Sequence, residues 1–69
     1  MEWMEVSETM SFLRTEQHDA SVYQTGEGLW NLFIRKEGVY VFEAGRYDSA
    51  RRAQIVVEQW IRHYLNHPH

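Results

Sequence analysis

Residues Leu29–Ala44 read LWNLFIRKEGVYVFEA: two apolar runs separated by Arg35-Lys36-Glu37-Gly38. Leu29–Ile34 and Val39–Ala44 are rich in β-branched, aromatic and aliphatic side chains, as strands are. A three-residue loop of Lys36, Glu37 and Gly38 fits between them. Lys36 and Glu37 would form a type I turn, and Gly38 would take the left-handed position at no steric cost. That loop sets Arg35 against Val39, Ile34 against Tyr40, Leu32 against Phe42 and Trp30 against Ala44. Opposed residues share a face. One face then holds Trp30, Leu32, Ile34, Tyr40, Phe42 and Ala44, nearly all apolar. The other holds Asn31, Phe33, Arg35, Val39, Val41 and Glu43, and is mixed. A two-residue loop would slip the register by one and scramble this sorting.

Beyond Ala44, Gly45-Arg46-Tyr47 reads as the end of the strand. Asp48 or Ser49 then supplies an N-cap oxygen for a helix that runs to about Asn66 and stops before Pro68. At the helical period, Ala50, Ala53, Val56, Val57, Trp60, Ile61, Tyr64 and Leu65 fall on one side. Arg51, Arg52, Ile55, Gln59, Arg62 and Asn66 fall opposite, and Ile55 is the aliphatic exception there. Small Ala50 and Ala53 would let the helix approach the sheet closely.

Towards the N-terminus the signals are shorter. Met10–Arg14 and Ala20–Thr25 are strand candidates, Thr15–Asp19 is a polar loop, and Gly26-Glu27-Gly28 is a turn into Leu29. Residues 1–9 alternate acidic and apolar side chains. They fit a covering strand, a helical turn or a frayed end, and the pattern does not choose. The expected fold is α+β: a single domain, residues 1–69, with a three- or four-stranded antiparallel β-meander packed on one C-terminal α-helix. One helix covers one face of a sheet. The face with Phe33, Val39 and Val41 therefore needs a cover, from Trp3 or Val6 of the same chain, from a second copy in a homodimer, or from a partner.

Composition narrows the chemistry. The 69 residues include no cysteine, so disulfides and thiolate chemistry are excluded. No run approaches the ~20 apolar residues of a membrane span, and Met1–Glu5 lacks the basic-then-apolar order of a signal peptide. The expected setting is cytoplasmic, with no membrane partner. Net charge is −3 and unevenly placed. Residues 1–34 carry six acidic side chains against Arg14 alone, whereas residues 35–69 carry six basic against four acidic. The net positive field that draws a protein to phosphate backbones is lacking.

No catalytic constellation stands out, and neither a cofactor nor enzymatic activity is expected. His63 and His67 have the spacing of a metal pair, with His69 following, but they sit at a helix end without a nearby acid. His18-Asp19 with Glu16 falls in an expected loop that offers little concavity for a general base. Gly26-Glu27-Gly28 precedes a strand, so it builds no phosphate cradle. Ala50-Arg51-Arg52-Ala53, following a strand pair, loosely resembles the closing half of double-stranded-RNA-binding domains and plant ββ–α DNA-binding modules. That resemblance implies a nucleic-acid-binding helix face using Arg46, Arg51, Arg52 and Arg62. The chain departs from the first family in having Gln54-Ile55-Val56-Val57 rather than an alanine-rich helix. It departs from the second in offering only Arg35 and Lys36 on the sheet.

In size and charge the chain is similar to small acidic phage-encoded inhibitors, anti-CRISPR proteins among them. That likeness implies a non-enzymatic protein-binding module that blocks a nucleic-acid-processing complex. The candidate contacts are Phe33, Val39 and Val41 on the spare sheet face, Arg52, Ile55 and Arg62 on the outer helix face, and Glu2, Glu5 and Glu8, where charge would speed encounter with a basic groove.

Overall fold

The computed structural model describes residues 1–66. Five strands precede one helix: β1 (Met4–Ser7), β2 (Met10–Arg14), β3 (His18–Gln24), β4 (Trp30–Lys36), β5 (Val39–Tyr47) and α1 (Ala50–Asn66). The strands form one antiparallel sheet in chain order, β1-β2-β3-β4-β5. The expected meander and C-terminal helix are present, but the sheet has five strands rather than three or four. Residues 4–7 supply the additional one, pairing Met4 with Phe12 and Glu5 with Ser11. β3 begins at His18, inside the segment expected to be loop.

The β4–β5 hairpin reaches the expected sorting by a different route. Lys36 pairs with Val39 and Arg35 with Tyr40, so the loop is only Glu37-Gly38. Both residues are left-handed, at φ 51° and 83°, which makes a type I′ turn whose twist suits the flanking strands. The pairing then jumps to Ile34 with Phe42, leaving Val41 as the extra residue of a bulge. The bulge undoes the slip that the shorter loop introduces. Leu32, Ile34, Phe42 and Ala44 therefore share the helix-facing side as expected. Two residues before the bulge do not follow: Tyr40 lies on the outer face with Arg35, and Val39 lies on the helix side with Lys36.

A second irregularity carries β5 past its expected end. Leu32 pairs with Ala44 but Trp30 with Tyr47, so Gly45 and Arg46 together oppose Asn31. Arg46 has a φ of 70°, and its N–H donates to Asn31 Oδ1 at 3.0 Å. A Cβ on Gly45 would run into the Asn31 side-chain amide, so a larger residue fits there only if that amide shifts.

The core lies between sheet and helix. Leu13, Ala20, Val22, Leu32 and Ile34 meet Ala53, Val57 and Ile61, all fully or nearly fully buried. Ser49 Oγ accepts the Arg52 N–H at 3.1 Å, so Ser49 is the N-cap. Trp60 stacks on Phe42 at 6.1 Å and on Tyr64 at 5.9 Å between ring centres. Two helix positions differ from the periodic expectation. Leu65, at the last turn, is 62% exposed because the helix has run past the sheet-covered zone. Glu58 is 8% exposed, because Trp3 reaches over to it from the start of the chain.

Candidate functional site

α1 covers the helix-facing side of β3, β4 and β5, and nothing among the described residues covers the other side of the sheet. Trp3, a candidate cover for that outer face, lies on the helix side instead. Its indole N–H donates to Glu58 Oε2 at 2.8 Å, and it packs against the core.

Strand pairing arranges the outer face in rows. One row runs Arg14, Asp19, Arg35, Tyr40, and the next runs Met4, Phe12, Ser21, Phe33, Glu43. Tyr23 sits beside Phe33 at 6.1 Å, and Phe33 meets Tyr40 edge-on at 5.3 Å. Ser21 is only 2% exposed although it faces outward, flanked by Phe12 and Phe33. The Arg35 guanidinium lies about 6 Å from both Phe33 and Tyr40, and its Nε donates to Asp19 Oδ1 at 2.7 Å. That charge-assisted bond fixes the guanidinium over the rings and holds the Arg35 pKa above its ordinary value. Arg14 lies 5.9 Å from the Phe12 ring. The result is an aromatic surface with two arginines along one side.

The residues singled out from the sequence are divided among separate surfaces. Phe33 is central to the outer face. Val41 sits in the bulge, 41% exposed, and Val39 is at the hairpin tip on the opposite side, 64% exposed. Arg52, Ile55 and Arg62 are on the solvent side of α1, across the molecule from Phe33. Glu5 opposes Ser11 on the helix-facing side, Glu8 is in the β1–β2 turn, and Glu2 precedes β1. Of the four arginines expected to make a basic patch, Arg51 and Arg62 flank one carboxylate, Glu58, at 3.5 and 3.9 Å. Arg46 belongs to the Asn31 bulge.

His18 is a correction. It opens a strand, is 2% exposed, and sits against the rings of Tyr64 at 4.7 Å and Trp60 at 5.5 Å. Its Nε2 is buried without a hydrogen-bond partner. Burial, with the nearby Lys36 charge, pushes its pKa below the usual 6.5, against the smaller pull of Asp19 and Glu37. Lys36 Nζ lies 4.9 Å from the Tyr64 ring, and the Tyr64 hydroxyl helps hold it charged. Asp19 is bound to Arg35 and His18 is packed under the Trp60 and Tyr64 rings, so the two side chains weighed together as an acid–base group have separate partners. His63 is on α1, while His67 and His69 lie outside the described residues. Among the described residues no cluster of three or more His, Asp or Glu is placed to hold a metal ion, and no helix is long and apolar enough to cross a membrane.

Sequence reasoning missed the outward-facing Phe12, Tyr23 and Tyr40, and the pairing of Trp3 with Glu58. The alternation Ser11, Phe12, Leu13, Arg14 carried a signal for Phe12, since Leu13 is a natural core residue. Tyr40 had none, because the bulge that places it is not written in any pattern of period two.

At the end of the molecule near the start of α1, an open cavity of about 320 Å³ lies between the β1–β2 hairpin, Trp30 and the first turns of the helix. Trp3, Trp30, Glu5, Glu8, Ser11 and Gln54 are among its lining residues. Comparison with protein-family models, curated proteins and solved structures found no significant match in any of the three.

Proposed function

We propose that the protein is a non-enzymatic protein-binding module whose outer sheet face occupies a surface of a partner protein. The observation that carries this reading is the uncovered row of Phe12, Ser21 and Phe33, with Tyr40 and the Asp19-anchored Arg35 beside it. Aromatic side chains and arginine are enriched where protein interfaces derive their energy. A guanidinium already fixed by a neighbouring carboxylate loses less freedom on docking. Five strands at about 4.8 Å spacing give a face roughly 20 Å broad, and the seven-residue central strands make it roughly 23 Å long, so its area of roughly 450 Å² is below the ~800 Å² per partner of a standard interface. Affinity through this face therefore depends on a few aromatic anchors, with Phe33 foremost. Simple occupation of a partner's surface is also how a small acidic inhibitor of a nucleic-acid-processing complex would act. The basic helix face is less suited to nucleic acid than its sequence suggests, because Glu58 sits between Arg51 and Arg62.

The test is capture by the immobilised chain from the cells that encode it, compared across variants whose fold is checked by circular dichroism. A single stoichiometric partner held by the wild type and by Ile55→Asp, and released by Phe33→Asp, supports the reading. Release by Ile55→Asp alone moves the interface to the helix. Retention of nucleic acid at low salt, lost in Arg51→Glu/Arg52→Glu, replaces this reading with a nucleic-acid-binding one.

A further inference from the structure

The cavity beside the helix start is built differently from the outer face. Two of the chain's three tryptophans line it, and so do two carboxylates, Glu5 and Glu8. The Trp3 indole is held in place by its 2.8 Å bond to the buried Glu58. Trp30 is anchored by packing on the core and by pairing with Tyr47. Gln54 is fixed in turn, its Nε2 donating to Ser11 Oγ at 3.1 Å. These walls are formed before any ligand arrives. Glu5 and Glu8 are exposed, so their charge faces solvent at the rim. The near cation, Arg51, lies 3.5 Å from Glu58 and 3.5 Å from Gln54 and is engaged by both.

Apolar indole surface with carboxylates at its edge matches one ligand chemistry: a cation that carries its own hydrocarbon collar. Such a group gains from aromatic contact and from the acidic rim together, while an anion is repelled by the rim and a compact hydrated metal ion gains from the carboxylates but little from the indole walls. We propose that this cavity receives the arginine or lysine side chain of a partner protein. The site lies on the helix side of the sheet, so it stands apart from the outer face and survives if that face proves to have another role. It also gives Glu5 and Glu8 a definite task that the acidic front of the sequence only hinted at.

The test uses the intact chain labelled with nitrogen-15, in which each indole N–H gives its own resonance. Trp60, packed on Phe42 and Tyr64 away from the cavity, is the internal reference. The probes are N-acetyl-arginine methylamide, N-acetyl-lysine methylamide, choline and the neutral choline isostere 3,3-dimethylbutan-1-ol. The expected result is saturable movement of the Trp3 and Trp30 resonances at millimolar arginine or lysine derivative, with Trp60 unmoved. The isostere should leave all three in place, and Glu5→Gln/Glu8→Gln should weaken binding about fivefold with the Trp60 resonance unchanged. Equal response to the neutral isostere would make the cavity merely apolar and overturn the proposal. A response to choline without one to arginine or lysine would assign a small quaternary ammonium instead of a protein side chain. No response to any probe would end the idea.

Discussion

The Trp3 indole N–H and the Glu58 carboxylate, separated by 55 positions in the chain, meet at 2.8 Å. Through this bond the segment leading into β1 is tied to the middle of α1, and a carboxylate is kept 8% exposed on a helix that otherwise buries apolar groups. Arg51 and Arg62 stand off at 3.5 and 3.9 Å, on the solvent side. Trp3→Phe keeps most of the ring but removes the donor. A loss of about 1–3 kcal/mol is expected, the usual penalty for leaving a buried polar group short of a partner. Urea denaturation of Trp3→Phe, Glu58→Gln and the double variant would measure the coupling, and additive losses would show that the bond contributes nothing.

The β4–β5 turn holds a non-glycine residue in the left-handed region, Glu37 at φ 51°. Asparagine tolerates that conformation better than glutamate, and Asn-Gly is the preferred pair for this turn. Glu37→Asn should raise stability by about 0.5–1 kcal/mol. Gly38→Ala, at φ 83°, should lower it. Thermal melts of the two variants would therefore move in opposite directions. Movement in the same direction would contradict the two-residue loop.

Gly45 and Asn31 should behave as a coupled pair. Gly45→Ala places a methyl group against the Asn31 amide and should destabilise by about 1–3 kcal/mol, as overpacking does. In an Asn31→Ala background that clash is gone, although the bond to the Arg46 N–H goes with it. The second substitution should then cost much less than it does alone. Equal costs in both backgrounds would mean that Asn31 does not pack against Gly45.

His18 gives the fold a specific pH dependence. The unfolded chain takes up a proton near the ordinary value of 6.5, while the enclosed imidazole takes it up only at lower pH. Its contribution to stability is thus fully present above about pH 6.5 and is lost as pH falls from there through the depressed folded value. Lys36, Asp19 and Glu37 are the charged groups around it. His18→Phe keeps the aromatic contact and removes the titration. Urea midpoints followed from neutral to mildly acidic pH should fall more steeply for the wild type than for this variant, and parallel curves would exclude the effect.

Much of the architecture was legible in particular residues. Asp48 or Ser49 before a run with apolar residues at helical spacing marked the start of α1, and Ser49 makes the cap; Pro68, read as the stop, lies outside the described residues. Leu32, Ile34, Phe42 and Ala44 declared a common face by alternation alone. The loop joining their strands was misread, yet the face came out right for these four because the Val41 bulge compensates the shorter turn. β1 was ambiguous since all four of its residues are exposed, and a strand without a buried side leaves no hydrophobic rhythm to detect.

What the chain order of side chains determined was local: which segments extend, where the helix begins, and which side of each element is apolar. Such properties follow from periodicity and capping, and both are written within a few neighbouring residues. The three-dimensional fold alone decided that Trp3 would reach Glu58, that His18 would be enclosed by Trp60 and Tyr64, and that Glu5 and Glu8 would rim a cavity with Trp30. Those outcomes join residues distant in sequence, and they depend on bulges and strand twist that change a side chain's surroundings without leaving a mark in the local pattern.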